Sequence, residues 1–466
     1  MNSKKWLLLL LMSLGVNNNG FSQPFTCSSH MYVPRGISTD LVYINSLLFN
    51  ERHTQVENKA FTYAGQFIFQ NSRKSRALGA AFLTGTNNTI TVQQAPFAPG
   101  TPATIDALSL GLANADPANP FLETFSISPQ RKVFAYHGYF YLNLDAWWCG
   151  LWADVAFAIV NARHSLHCEQ TGNTSSLCAN IATVSDALST QSLTAGRFFC
   201  GPCNDEKRRT GFDDLQIRLG YDYNWCDNVF GLYLIGTVPG GRKPNAVYVF
   251  EPLVGSRHGS LGVGLQAFVP FNLCGCEDTA LTLLSDFNYR YVFSHRECRT
   301  FDLLPNGPFS RFAPVVDLAN PLLTFPAANV LTGPVKVQPR STIQWWLGVN
   351  YEFCDWNFEV GYNLYWRQRE RIQESSVVVP ANIGIFDVTT ATSSAAITAA
   401  NIDINSAVAA RALTNKIYGA FSFNGCVCDC FEWMSGFGGS YEFVAKRDRC
   451  AALSNWAIFG KCAVSF

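Results

Sequence analysis

The 466-residue chain has no excess charge and few charges of either sign: 34 Lys and Arg stand against 34 Asp and Glu, and together they make up 15% of the residues. A neutral balance without a basic run argues against nucleic acid or an anionic surface as a partner held by charge. Long apolar runs are missing after the N-terminus. No later stretch reaches the ~18 uncharged apolar residues expected of a spanning helix. Gly-x-Ser-x-Gly is absent, and the seven histidines (His30, His53, His137, His164, His167, His258 and His295) show no metal-ligand spacing beyond His164-x-x-His167. Without a nucleophile, an acid–base set or a ligand cluster, the expectation is no enzyme, no metal and no cofactor.

Aromatic residues, by contrast, are plentiful at 14% of the chain. Residues 1–22 read as a secretory signal: Lys4 and Lys5 precede an apolar core from Trp6 to Leu14, and Gly20 and Ser22 offer small residues for cleavage after Ser22. The apolar core is too short to anchor the chain in a bilayer. Removing Lys4 and Lys5 leaves 32 basic against 34 acidic residues, a charge of −2. All sixteen cysteines follow residue 22, and behind an export signal they point to an oxidising compartment.

The body of the chain alternates. In 214–223, Leu215, Ile217, Leu219, Tyr221 and Tyr223 are interleaved with Gln216, Arg218, Gly220 and Asp222; 356–367 is equally regular. Period-two patterning of this kind predicts strands. Others are expected at 60–70, 133–144, 150–161, 229–238, 260–271, 279–293, 342–353, 417–424, 433–446 and 455–466, with weaker candidates at 40–49 and 76–84. A greasy chain without apolar helices can satisfy its backbone within lipid only as a closed barrel. The connections support that reading, because turns of a few residues alternate with loops such as 85–132, 162–213, 239–259, 294–341 and 368–416.

Counting strands from a closing strand at 455–466 gives fourteen if both weak candidates are included and twelve if only 60–70 precedes 133–144; fourteen keeps the short–long alternation intact. Tryptophans cluster near strand ends: Trp147, Trp148, Trp152, Trp225, Trp356 and Trp433 beside short turns, and Trp345, Trp346, Trp366 and Trp456 toward long loops. All ten are therefore expected in two interfacial belts. Loops 85–132 and 299–341, rich in Ala, Pro, Leu and Phe, are expected to fold inward or pack on each other, and Ala-rich 394–413 could hold a short helix.

The last strand is the most specific segment. Trp456, Ile458, Gly460, Cys462, Val464 and Phe466 point one way, and Asn455, Ala457, Lys461, Ala463 and Ser465 the other, with Phe459 the bulky exception. With the export signal and the terminal Phe466, it resembles the closing strand of porin-like outer-membrane proteins of double-membraned bacteria. The resemblance is architectural, covers the chain from about residue 40, and implies a domain plan of signal peptide (1–22), N-terminal periplasmic segment (23–39) and transmembrane β-barrel (40–466). It further implies a bacterial outer-membrane location, passive diffusion of small polar solutes, Phe466 as the signal to the barrel-assembly machinery, and membrane lipid and a possible homo-oligomer as partners. The abundant cysteine departs from general porins and resembles envelope proteins cross-linked by disulfides. A structural or adhesive surface protein, linked to envelope partners, is the alternative.

Inward-facing polar positions are the candidate site. Arg218, Asp222, Asp286, Arg290, Glu352, Glu359, Arg367, Glu442 and Lys461, with His137, Asn143, Asp154, Asn288, Asn350 and Asn363, would be costly against lipid and should face the lumen. They either wall an aqueous channel, the preferred reading, or form a closed salt-bridged interior. Among the cysteines, Cys200-Gly-Pro-Cys203 has the letters of a thioredoxin site but no βαβ context. With Cys168 and Cys178 it could form two disulfides or a four-cysteine zinc site, disulfides being preferred. Cys298 and Cys450 fall on the long-loop side and could pair. Cys149, Cys226, Cys274, Cys276, Cys354, Cys426, Cys428 and Cys430 fall in the short turns, positioned for cross-links at that rim.

Overall fold

The computed structural model describes residues 31–47, 60–94, 104–175, 181–190, 192–200, 206–272, 279–375, 379, 381–387, 392–428 and 431–466. Twelve strands carry the fold: β1 (Phe61–Ser72), β2 (Gln130–Asn143), β3 (Leu151–Ser165), β4 (Leu215–Trp225), β5 (Asn228–Val238), β6 (Ser260–Asn272), β7 (Thr279–Val292), β8 (Arg340–Phe353), β9 (Trp356–Arg367), β10 (Ala412–Cys428), β11 (Phe431–Val444) and β12 (Asn455–Ser465). Each pairs antiparallel with its sequence neighbour, and β1 pairs with β12, so the sheet closes on itself. One further strand, Glu206–Phe212, lengthens the wall by pairing with the long-loop half of β3, whose other half pairs with β4.

Alternation decides which face meets which solvent. Outward residues are apolar and open to the surroundings: Leu232 is 59% exposed, Val360 62% and Phe437 64%. A ring of such residues around a closed sheet is the exterior of a transmembrane β-barrel, where lipid completes the packing that water would not. The opposite face of the strands is largely buried, less so near the short turns, and it holds most of the strands' charge.

The fourteen-strand count is corrected to twelve, because both weak candidates fold as helices. Asp40 caps α1 (Leu41–Asn45), its carboxylate accepting from the Val42 amide at 3.0 Å, and Ser75 caps α2 (Arg76–Phe82), its hydroxyl accepting from Leu78 N at 3.1 Å. Short apolar runs read alike as strand or helix, and the cap residue is what decides. In 394–413 the expected helix is limited to two 3-10 turns, Ala399–Asn401 and Ile404–Ala407.

The long loops pack on one another as a cap over one end of the barrel. Leu78 and Phe82 of α2 join Phe121, Phe125, Leu188, Phe198 and Phe250 in one apolar core, and Phe301, Val315, Leu331 and Ile383 join a second. Four small sheets frame these cores among the described residues: 89–93 with 104–106, 122–126 and 169–172; 295–300 with 332–338 and 371–375; 302–303 with 402–403; and 314–317 with 320–326, 383–387 and 392–396.

Two tryptophan assignments also change. Trp152 and Trp346 are buried in the barrel interior, because period two turns each away from its outward neighbours. Trp147, Trp148, Trp225, Trp356 and Trp456 are exposed near strand ends.

Candidate functional site: the lumen and its N-terminal segment

The barrel interior is built from inward side chains of all twelve strands, and residues 31–47 run through it. These residues were expected as the end of a periplasmic segment and the start of a first strand; the structure instead threads them down the upper lumen. At the long-loop end, Arg367 donates to the Val33 carbonyl at 2.9 Å, and Asp213 accepts from Ile37 N at 2.7 Å and Ser38 N at 2.9 Å. One turn lower, Arg35 donates to Gln344 and Asn363, each at 2.7 Å, and pairs with Asp40 at 2.9 Å. Asp40 also pairs with Lys416, whose ammonium lies 3.5 Å from Glu442.

Below that layer, α1 meets the opposite wall. Lys461 donates to the carbonyls of Tyr43, Ile44 and Ser46 at 3.1, 3.2 and 2.6 Å, which places a cation where the last carbonyls of α1 carry partial negative charge. Glu359 accepts from Leu47 N at 2.8 Å and from Tyr418. Asn45 donates to Asp286 at 2.7 Å.

Asp286 belongs to a network that stiffens the barrel. Arg218 of β4 sits between Asp154 of β3, at 2.6 Å, and Asp286 of β7, at 3.0 Å. Tyr139 donates to Asp154 at 3.0 Å and Tyr233 donates to Asp286. The Trp152 and Tyr233 rings lie 5.7 and 5.2 Å from the guanidinium carbon. Five strands and α1 thus converge on one fully buried cation, the arrangement a buried charge requires to be tolerated. Tyr233 reaches its acceptor across Gly264, where an added Cβ would lie 2.0 Å from its ring.

All nine predicted lumen residues face inward. Arg218, Asp286, Arg290, Glu359, Arg367, Glu442 and Lys461 are buried, while Asp222 and Glu352, nearer the short turns, remain half-exposed. Gln266 donates to Asp222 at 2.7 Å. Gln66 and His137, opposed on β1 and β2, are buried and make no side-chain hydrogen bonds among the described residues. The N-terminal segment itself was not foreseen. Its one sequence signal is that Arg35, Asp40 and Asn45 interrupt an apolar stretch with groups able to meet lumen charges.

Cysteine placement corrects two expectations. Cys168 and Cys200 are joined to each other with Cα atoms 5.6 Å apart, so a zinc site using both is excluded; Cys178 and Cys203 lie outside the described residues. Cys298 is a free thiol and Cys450 is disulfide-bonded, so the two do not pair. Cys149, Cys226 and Cys354 are exposed free thiols in the short turns, and Cys426 is exposed nearby. Cys274, Cys276, Cys430 and the Cys428 side chain lie outside what is described. Phe466 closes the seam: its backbone exchanges two 3.0 Å hydrogen bonds with Phe61, and the two rings lie 5.1 Å apart.

No protein-family model and no curated protein sequence matches the chain. Solved structures do. An outer membrane channel from Pseudomonas putida F1 aligns at 12% identity and a TM-score of 0.37, over 88% of this chain and 96% of that one. A FadL homologue from Pseudomonas aeruginosa aligns at 9% and 0.32, over 93% and 99%. The β domain of the Bordetella autotransporter BrkA aligns at 8% and 0.33, over 88% and 100%. Identities and scores this low leave the functional reading to the geometry of the lumen.

Proposed function

We propose that the protein is an outer-membrane channel for small polar solutes whose lumen is held shut by its own residues 31–47. The observation that carries this reading is the chemistry of the contact between segment and wall. The segment packs Ile37, Leu41, Val42, Tyr43, Ile44 and Leu47 against inward wall residues such as Trp346 and Phe459. Its specific anchors, however, are ion pairs and hydrogen bonds from six strands, and much of the wall it covers is polar and charged. A charged wall that water can re-solvate suits a segment that leaves and returns; an apolar wall would resist wetting. The short turns then lie on the periplasmic side and the loop cap outside the cell. In this reading the lumen residues set size and charge preference, and none performs chemistry. Planar-bilayer recordings test it: full-length protein should give rare openings, and a variant lacking residues 31–47 should give frequent stepwise currents. Absence of current from both would overturn the reading.

A second reading, a cross-linked structural protein of the envelope, is favoured by the short-turn thiols. Cys226 and Cys354 occupy left-handed positions, φ 52° and 50°, in tight hairpins that Asn or Gly would fill with less strain. Disulfide-linked ladders on non-reducing electrophoresis, collapsing to monomer under reductant, would favour it.

A further inference from the structure

Between the N-terminal segment, the upper wall of β5 to β9 and the loop cap lies a cavity of about 60 Å³ with an unbalanced lining. Three guanidinium groups border it: Arg290 of β7, Arg367 of β9 and Arg257 of the loop joining β5 to β6. All three residues are buried, and the Nε of each is without a hydrogen-bond partner. Arg367 is held through its other nitrogens by the Val33 and Ala410 carbonyls, and Arg257 reaches Glu297 at 3.5 Å. Arg290 has no hydrogen bond or ion pair among the described residues.

The two carboxylates that border the cavity do not answer this charge. Asp214 accepts from Gly240 N at 3.0 Å and Ser256 N at 2.8 Å, and Glu370 is taken up by Ala409 N at 2.9 Å and Arg299 at 3.2 Å. The remaining polar lining is hydroxyl, including Ser260 and Thr342, together with His258, whose Nδ1 lies 2.8 Å from the Phe293 carbonyl and whose Nε2 lies 3.2 Å from Glu297; the Thr342 hydroxyl is also buried without a partner. Unspent donors therefore outnumber unspent acceptors around a space large enough for a few waters or one small ion. A buried cation without a counter-charge is costly, and guanidinium pairs with planar and tetrahedral oxyanions through paired N–H donors.

We infer that this cavity is a binding site for a small free oxyanion, phosphate or carboxylate, with Arg290 as its principal ligand and Arg257, Arg367 and Thr342 completing the cradle. The site lies where the N-terminal segment enters the barrel, so an anion there would bridge segment, wall and cap. The inference goes beyond the channel reading and does not rest on it, because binding is read without current.

The experiment is thermal unfolding of the refolded full-length barrel in detergent, titrated with inorganic phosphate or acetate against chloride at matched ionic strength. A saturable rise in melting midpoint with either oxyanion is expected for the natural chain and for Arg163→Gln, an exposed control. Arg290→Lys should keep part of the shift and Arg290→Met should lose it. In chloride without oxyanion, Arg290→Met should melt about 2 °C or more above the natural chain, since it removes an unanswered charge. No saturable shift, or the same shift in Arg290→Met, would overturn the site. So would an Arg290→Met barrel that fails to refold or melts lower without oxyanion, because Arg290 would then have a structural partner.

Discussion

Residues 31–47 and the C-terminal strand meet at Lys461 and were made by different physics. The C-terminal strand β12 takes its form from its surroundings, with lipid on one face and a polar interior on the other. Every odd inward position from Asn455 to Ser465 is buried and every intervening position faces out, Ile458 at 56% exposure. Residues 31–47 face no such division. Their form is set residue by residue by partners that lie hundreds of positions away, Asp40 by Lys416 and Leu47 by Glu359. Environment-driven structure is periodic and partner-driven structure is not.

The largest effect expected from breaking this contrast lies in the interior network. Asp154→Ala leaves Arg218 with only Asp286 and should cost about 3–5 kcal/mol, read as a lower urea midpoint of the refolded barrel. An unchanged midpoint would mean the network is dispensable. Next comes the lipid face: Ile458→Lys places a charge against hydrocarbon near the middle of β12 and should cost about 2–4 kcal/mol in bilayers, with a smaller loss in short-chain detergent. Equal losses in both would show that this face does not meet lipid.

Lys461→Met acts on the segment more than on the barrel. It removes the cation at the end of α1 and should loosen the segment by about 1–2 kcal/mol, seen as a raised opening frequency with the urea midpoint nearly intact. The smallest effect on the barrel concerns acid and the cap. Burial opposes charge on Glu297, but Arg299, His258 and Arg257 together hold its carboxyl well below the usual range. A depressed acid stabilises the folded cap above its unfolded value of 4.5, and that contribution fades as pH falls below it. Protease cleavage of the cap should therefore rise between about pH 4.5 and 3 while β1 to β12 stay protected, and Glu297→Gln should flatten the dependence.

What could be read from residues alone follows the same division. The twelve wall strands were visible because alternation between two solvents leaves a period-two record, and their ends agree with the structure within a few residues. The polar residues of the wall were assigned to the interior for the same reason. What they hold was not visible. Arg218 announces that it needs carboxylates, but nothing near it in sequence says that Asp154 and Asp286 will supply them. Leu41–Asn45 and Arg76–Phe82 were misread because a run of five to seven apolar residues fits either period; the decisive groups were the single side chains Asp40 and Ser75. Trp152 and Trp346 were misplaced because nearness to a strand end was weighed above parity.

The seam between β1 and β12 has a consequence for the order of events. Thr62 and Ser465 are opposed across it, 403 positions apart, so the wall cannot close until the final residues of the chain have been delivered. Contacts that span nearly the whole chain form slowly, because the ends must find each other before any enthalpy rewards them. Residues 31–47 lie upstream of β1 and so precede, along the chain, the wall that surrounds them. The barrel is thus either assembled around a segment already waiting inside, or completed first and threaded afterwards. Time-resolved protection of Lys461 against amine-reactive reagent, before and after β1 and β12 pair, separates the two histories.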